Sequence, residues 1–171
     1  MAESAPERTL KVLGETGRNR LQVSEHLGAW EIACRCKAHC GGAWVFHPKL
    51  FRYFERGRQL TNDLFGRDRE IPLIVNSGYR CKAWNEQVGG HPRSRHLFGE
   101  AFDLVVPGGL GALQWAKVLK RVWPRAAVYF DKKRNGYWPY VHVDLGLAGE
   151  FDPFVREWRR VDRPAATGGD T

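Results

Sequence analysis

The sequence has no hydrophobic run long enough to cross a bilayer, since about 18 consecutive apolar residues occur nowhere in it. Residues 1–9 lack the apolar centre that marks a secretory signal. No internal repeat is visible, and the basic residues follow no recognised nucleic-acid-binding pattern. The sequence therefore predicts no membrane span, no cleaved export signal and no nucleic-acid partner.

Cysteine is also scarce, and the chain has four: Cys34, Cys36, Cys40 and Cys81. The first three follow a Cys-x-Cys-x-x-x-Cys spacing, which is not that of a standard zinc finger. The absence of an export signal favours reduced thiols. Three interpretations stay open: a structural metal site formed by these cysteines, a disulfide, or free thiols.

The residues that build a core are abundant, with 43% hydrophobic and 12% aromatic residues. A length of 171 residues suits one domain. The ends are small and polar, which predicts loose tails at 1–9 and 161–171 around a domain spanning 10–160. The formal charge of +8 favours an anionic partner, and on charge alone nucleic acid, a membrane surface and an acidic polymer all qualify.

Periodicity and turn signals predict a small α+β domain with an antiparallel hairpin near its end. Four helices are predicted, opening at Pro48, Lys82, Leu110 and Asp152. Four strands are predicted, at 72–76, 100–106, 126–130 and 140–145. Pro124 is expected to stop the third helix after Trp123. The last two strands flank a turn-rich stretch that is longer than a two-residue hairpin loop.

Two histidines and an aspartate form a metal-ligand pattern. Residues 100–106 alternate as a strand, which places Asp103 and the small Ala101 on one face. His96 precedes that strand in a loop, and a second strand carries His142. Two imidazoles and one carboxylate suit Zn²⁺, and three protein ligands leave a fourth position, as in catalytic sites. Asp144 is expected to orient an imidazole by accepting its N–H.

Motif blocks in a fixed order connect this pattern with a known family. They are Ser77-Gly78-Tyr79-Arg80, Asn85, Gly89-Gly90, the Ser-x-His-x-x-Gly-x-Ala-x-Asp block from Ser94 to Asp103, and Val141-His142-Val143-Asp144. Together they resemble the zinc D-alanyl-D-alanine carboxypeptidase family, which is grouped structurally with lysostaphin-type enzymes and the hedgehog signalling domain. The resemblance covers residues from about Cys34 to Asp144.

This resemblance implies a mainly antiparallel sheet that carries the zinc ligands, with helices packed on it. It also implies a peptidase that hydrolyses the stem peptides of bacterial peptidoglycan, as a carboxypeptidase or as an endopeptidase such as a phage endolysin. By motif position His96, Asp103 and His142 would hold Zn²⁺, and Arg80 would position or polarise the substrate. Without an export signal, such an enzyme is expected to be made in the cytoplasm and to reach the cell wall or periplasm by lysis or phage delivery.

One departure from the family pattern concerns the general base. Relatives commonly carry Glu, Asp or His a few residues before the last ligand, whereas residues 135–141 contain none of these. Tyr137 and Tyr140 offer hydroxyl groups, and Asp131 or His91 would have to reach the site from a loop. The departure keeps a second hypothesis open, a zinc-bearing module that binds wall peptides or a protein partner without cleaving them. A nucleic-acid-binding phage protein, which the charge permits, is the third.

Overall fold

The structure is a computed structural model that describes residues 9–11, 22–36, 38–67, 69–133 and 136–146. In this part of the chain the strands are β1 (Thr9–Lys11), β2 (Gln22–Ser24), β3 (Leu27–Gly28), β4 (Trp44–Phe46), β5 (Val75–Ser77), β6 (Ala101–Val105), β7 (Arg125–Lys133) and β8 (Gly136–Asp144). The helices are α1 (Ala29–Ile32), α2 (Lys49–Phe65), α3 (Lys82–Gln87) and α4 (Ala112–Leu119), with a 3₁₀ turn at Arg95–Phe98. The prediction of a small α+β domain with a mainly antiparallel sheet is confirmed.

The main sheet has the strand order β5-β6-β8-β7, and each neighbouring pair is antiparallel. β7 and β8 form a long hairpin that pairs from Arg125 with Asp144 out to Lys133 with Gly136. On its other edge β8 pairs with β6, where Asp103 lies directly opposite His142. Two short ribbons, β1 with β4 and β2 with β3, complete the strand pairing of the described residues.

The hydrophobic core lies on one face of the main sheet. Phe102 of β6 packs edge-on against Phe54 of α2 and Trp123 after α4, with ring centroids 6.1 and 6.0 Å apart. Trp115 and Leu119 of α4 are fully buried in the same cluster. Burying a large apolar side chain stabilises a fold by about 1.5–3 kcal/mol. The helices therefore cover this face, and the polar residues of β6 and β8 occupy the other.

Two of the predicted helices are confirmed closely, since α2 begins directly after Pro48 and α3 begins at Lys82. The third ends earlier than predicted. The helix α4 stops at Leu119, so Pro124 does not terminate it. Trp123 fits the apolar spacing of the helix because its side chain is buried in the core, although it lies beyond the helix end. The closing helix predicted to open at Asp152 lies outside the described residues.

The strand predictions hold with two corrections. The strand predicted at 72–76 is displaced, because β5 covers only Val75–Ser77. The expectation of a long loop between the last two strands is wrong, because the ladder continues until Lys133 pairs with Gly136. A continuous ladder satisfies backbone groups that an open loop would leave to water.

The predicted tails fall almost entirely outside the described residues, although Thr9 is the first residue of β1 and pairs with Phe46 of β4. Among the helices that the structure describes, none combines the length and apolarity needed to cross a membrane.

Candidate metal centre

Three donor side chains meet on the polar face of the main sheet. His96 comes from the 3₁₀ turn, Asp103 from β6 and His142 from β8. Asp103 Oδ1 lies 3.2 Å from His96 Nε2 and 2.8 Å from His142 Nδ1, and the two ring nitrogens are 3.3 Å apart. His96 and Asp103 are buried, and His142 is partly exposed. The structure thus brings together the three residues that sequence analysis named as metal ligands.

The turn that carries His96 depends on Gly99. Gly99 has a φ of +63°, a conformation that costs an L-residue about 1–2 kcal/mol. A Cβ on Gly99 would also collide with the backbone carbonyl of Val45. His47 N–H donates to the Gly99 carbonyl at 2.9 Å, which joins the turn to the end of β4. The turn therefore has a fixed position under the site.

The tautomer of His96 is set by the backbone. Its Nδ1 lies 2.6 Å from the carbonyl oxygen of Gly78, which can only accept, so Nδ1 carries the proton and donates. Nε2 then presents its lone pair to Asp103 and His142. Burial lowers the pKa of His96, which keeps the ring neutral. A neutral imidazole with an oriented lone pair is the form that binds metal.

Asp103 divides its two carboxylate oxygens between different partners. Oδ1 faces both histidines, and Oδ2 pairs with the guanidinium of Arg80. Arg80 Nε donates in turn to Ser77 Oγ at 2.9 Å. Burial opposes ionisation, but electrostatic interaction with the His96 and His142 imidazoles and the hydrogen bond with His142 hold the pKa of Asp103 well below its usual range. The carboxylate is therefore ionised and oriented.

His142 lies between two carboxylates. Nδ1 faces Asp103, and Nε2 lies 3.4 Å from Asp144 Oδ2. Burial would lower the pKa of His142, but the hydrogen bonds to Asp103 and Asp144 raise it to about 9. Asp144 is itself held by the N–H of Gly146 at 2.7 Å. Asp144 thus has the contact that sequence analysis expected of it, behind the ring of His142.

The separations between the three donors suit a tetrahedral ion. Zinc binds imidazole nitrogen and carboxylate oxygen at about 2.0–2.2 Å, so two such ligands at a tetrahedral angle lie about 3.3 Å apart. The observed separations are 3.2, 2.8 and 3.3 Å. Ala101 and Ala127 lie at the neighbouring register positions, opposite Asp144 and His142. Their small side chains keep this face of the sheet open around the donors.

The two candidate general bases, Asp131 and His91, lie on different segments of the chain. Asp131 pairs with Trp138, four residues along β8 from His142, which corresponds to about 13 Å of strand. His91 Nδ1 accepts the N–H of Arg93 at 3.0 Å in the turn before the His96 segment. The register thus sets the backbone of Asp131 well away from His142 along the hairpin.

An aromatic pair borders His142, and sequence analysis identified only one of its members. Tyr129 of β7 approaches the ring of His142 edge-on with centroids 5.8 Å apart, and Tyr140 stacks on Tyr129 at 5.7 Å. Tyr140 shares a face with His142, as predicted, whereas Tyr137 lies at a β8 position of the opposite parity. The sequence gives no sign of the contact of Tyr129, because only the pairing of β7 with β8 brings this side chain to His142.

The four cysteines also come together, outside the His–Asp site. The Sγ atoms of Cys34, Cys40 and Cys81 all lie within 4.8 Å of one another. Cys36 is buried beside them, and all four are free thiols in the structure. The disulfide that sequence analysis left open is not formed here.

Comparison with known families agrees with this geometry. The family model of peptidase M15 matches residues 25–144, well over half of the 171-residue chain. The matched span contains the three converging donors, Arg80 and the four cysteines. The class indicated is therefore that of a peptidase. The chain belongs to the peptidase M15 family, which confirms the resemblance found from its motifs. No curated protein matches the chain in a sequence comparison.

Proposed function

We propose that this protein is a zinc metallopeptidase that hydrolyses peptide bonds in the stem peptides of bacterial peptidoglycan, as a D-alanyl-D-alanine carboxypeptidase or an endopeptidase. The observation that carries the proposal is the convergence of His96 Nε2, Asp103 Oδ1 and His142 Nδ1 within 2.8–3.3 Å of one another. These residues would hold the ion, and the family match supports both zinc and peptide hydrolysis.

The chemistry divides between the ion and the surrounding side chains. When bound, zinc supplies Lewis-acid activation of water and polarisation of the scissile carbonyl. Gly78 and Asp144 fix the two imidazoles through the ring nitrogens that face away from the ion. Arg80 orients Asp103 and would place a guanidinium, a group that can stabilise a developing oxyanion, beside the reaction centre.

Peptidoglycan as the substrate rests on several properties of the chain. Its formal charge of +8 complements an acidic wall polymer. Trp138 is 56% exposed on β8, the strand that carries His142, and an exposed indole suits a groove for an extended ligand. Action on the cell wall, after lysis or delivery by a phage particle, would bring the protein to this substrate.

The test is mass spectrometry of muropeptides after incubation of peptidoglycan with the purified protein. We expect new peptide termini with the zinc-loaded wild type, and none with chelator or with Asp103→Ala. Asp63→Ala is the matched control, because Asp63 is an exposed aspartate of α2 whose carboxylate accepts from Gln59 Nε2 at 2.6 Å on the same helix. Digestion that persists in both chelator and Asp103→Ala would exclude metal-dependent hydrolysis.

A second function, a zinc-bearing module that binds without cleaving, is favoured by one observation. Residues 135–141 contain no Glu, Asp or His that would serve as a base before the last donor. In this case peptidoglycan would retain the protein in a pull-down, yet show no new muropeptide termini after prolonged incubation with zinc. Loss of retention in chelator would then assign binding to the metal-loaded site.

A further inference from the structure

The cysteine cluster lies on two segments that are distant in sequence. Cys34, Cys36 and Cys40 belong to the loop between α1 and β4, and Cys81 directly precedes α3. The loop is closed on itself, since Cys34 N–H donates to the Ala43 carbonyl at 2.9 Å. The peptidase chemistry uses none of these thiols. Their convergence therefore needs a separate explanation.

Backbone amides point at three of the four sulfur atoms. Cys81 N–H donates to Cys34 Sγ at 3.3 Å, His39 N–H to Cys36 Sγ at 3.2 Å, and Trp84 N–H to Cys81 Sγ at 3.4 Å. Thiolate sulfur accepts such hydrogen bonds much better than thiol sulfur does, because it carries the charge. Amides arranged in this way stabilise and orient metal-bound thiolates.

We propose that Cys34, Cys36, Cys40 and Cys81 bind a structural zinc ion, distinct from the ion at the His–Asp site. Structural zinc is held tetrahedrally by four ligands at about 2.3 Å for sulfur, which places the sulfur atoms about 3.8 Å apart. Three of the sulfur atoms already lie within 4.8 Å of one another. Cys36 supplies the fourth, since its thiol interacts with that of Cys81 and its carbonyl accepts from Cys40 Sγ at 3.8 Å.

A metal explains the cluster better than free thiols do. One zinc ion uses all four sulfur atoms and all three amide contacts. A single disulfide would use two sulfur atoms and leave the other pair unexplained.

The position of this site indicates a structural role for the ion. Tyr79 N–H donates to the Ile32 carbonyl at 2.8 Å, and a Cβ on Gly78 would lie 2.5 Å from Ile32 Cα, so the two segments touch directly. The Gly78 carbonyl orients His96, and Arg80 N–H donates to the His96 carbonyl at 3.1 Å. An ion that fastens Cys81 to the Cys34 loop therefore holds the segment that positions His96.

Zinc analysis of protein purified under reducing conditions tests the proposal. A Cys34→Ser, Cys40→Ser variant is expected to lose about one zinc ion per chain, while a His96→Ala, His142→Ala variant keeps about one. The second arm makes the result independent of the peptidase proposal, because it retains zinc at the cysteines even if the His–Asp site binds none. Equal zinc in the wild type and the cysteine variant would overturn the inference.

Two measurements on the wild-type protein test the same proposal without a substitution. They remain informative if the cysteine variant fails to fold. Loading with Co²⁺ is expected to give intense thiolate-to-cobalt charge-transfer absorption in the near ultraviolet, which nitrogen and oxygen ligands alone do not produce. Titration with a mercurial reagent is expected to release zinc in step with modification of four thiols. Thiols that react with no release of zinc, or an intact mass showing a disulfide in the freshly purified native protein, would refute the site.

Discussion

Replacing Asp144 by Asn isolates the contribution of the residue behind His142. Asp144 Oδ1 accepts the Gly146 N–H at 2.7 Å, and Oδ2 lies 3.4 Å from His142 Nε2. In Asp144→Asn the amide oxygen keeps the bond to Gly146, which turns the amide NH₂ toward the ring. That group can only donate, so it favours the tautomer with a lone pair on Nε2 and a proton on Nδ1. The proton then occupies the nitrogen that faces Asp103 and the metal position.

The magnitude follows from the interaction that is lost. A hydrogen bond from a ligating imidazole to a carboxylate contributes about 1.5–3 kcal/mol, and replacing such an orienting partner costs about 10–100-fold in metal affinity. We therefore expect the zinc dissociation constant of Asp144→Asn to rise by about 10–100-fold, equivalent to about 1.4–2.7 kcal/mol. The fold should remain intact, because the Gly146 contact is kept and the isosteric amide fills the same space.

The assay is competition for zinc against a chromophoric chelator at about pH 9, near the pKa of His142, where its proton no longer competes strongly in either protein. Asp63→Asn on α2 is the matched control for the same chemical change. Nitrogen-detected NMR of the imidazole reports the tautomer of His142 directly. Zinc affinity within about threefold of the wild type, with the His142 tautomer unchanged, would refute the reasoning.

Three further predictions concern the same site. Arg80→Ala is expected to lower turnover about 10²-fold at saturating zinc. The control Arg58→Ala, which breaks an ion pair between α2 and Glu70, should leave turnover unchanged. Equal activity in both variants would contradict the role of Arg80. Because the pKa of His142 is raised to about 9, zinc uptake between about pH 7 and 8 should release about one proton. Calorimetry in buffers of different ionisation enthalpy measures this release, and its absence at about pH 7.5 would contradict the prediction. Gly99→Ala should lower the free energy of unfolding by more than about 2 kcal/mol, as measured by denaturant titration. Gly108→Ala should be neutral, because nothing lies within 4 Å of the place that its new methyl group would take. Similar denaturation midpoints for the two variants would contradict the predicted backbone strain at Gly99.

The faces of the strands followed from the sequence, but the register did not. Side chains on a strand alternate between its two faces, so the sequence places Asp103 on the same face as Ala101, and His142 on the same face as Asp144. It could not show that Asp103 lies opposite His142, since pairing depends on how two distant segments align. The contact of Tyr129 with His142 was missed for the same reason.

Contacts that depend on a third secondary-structure element also could not be predicted from the sequence pattern. The motif indicates a role for Arg80 toward the substrate, but it gives no sign of the pair with Asp103. That pair forms because β5 runs beside β6 and sets Ser77 opposite Asp103. The end of α4 was misjudged for a related reason. Apolar spacing reports which side chains are buried, and Trp123 is buried in the core after the chain has left the helix.

The hydrophobic face of the sheet determines the geometry of the metal face. Phe102 pairs with Val143 and Leu104 with Val141, and all four side chains are buried. Their burial contributes on the order of 6–12 kcal/mol, comparable with the whole stability of a small domain. A slip of one residue between β6 and β8 would turn these side chains to the other face and separate Asp103 from His142. Since core packing forbids that slip, the donors on β6 and β8 are aligned by the fold itself before any ion binds.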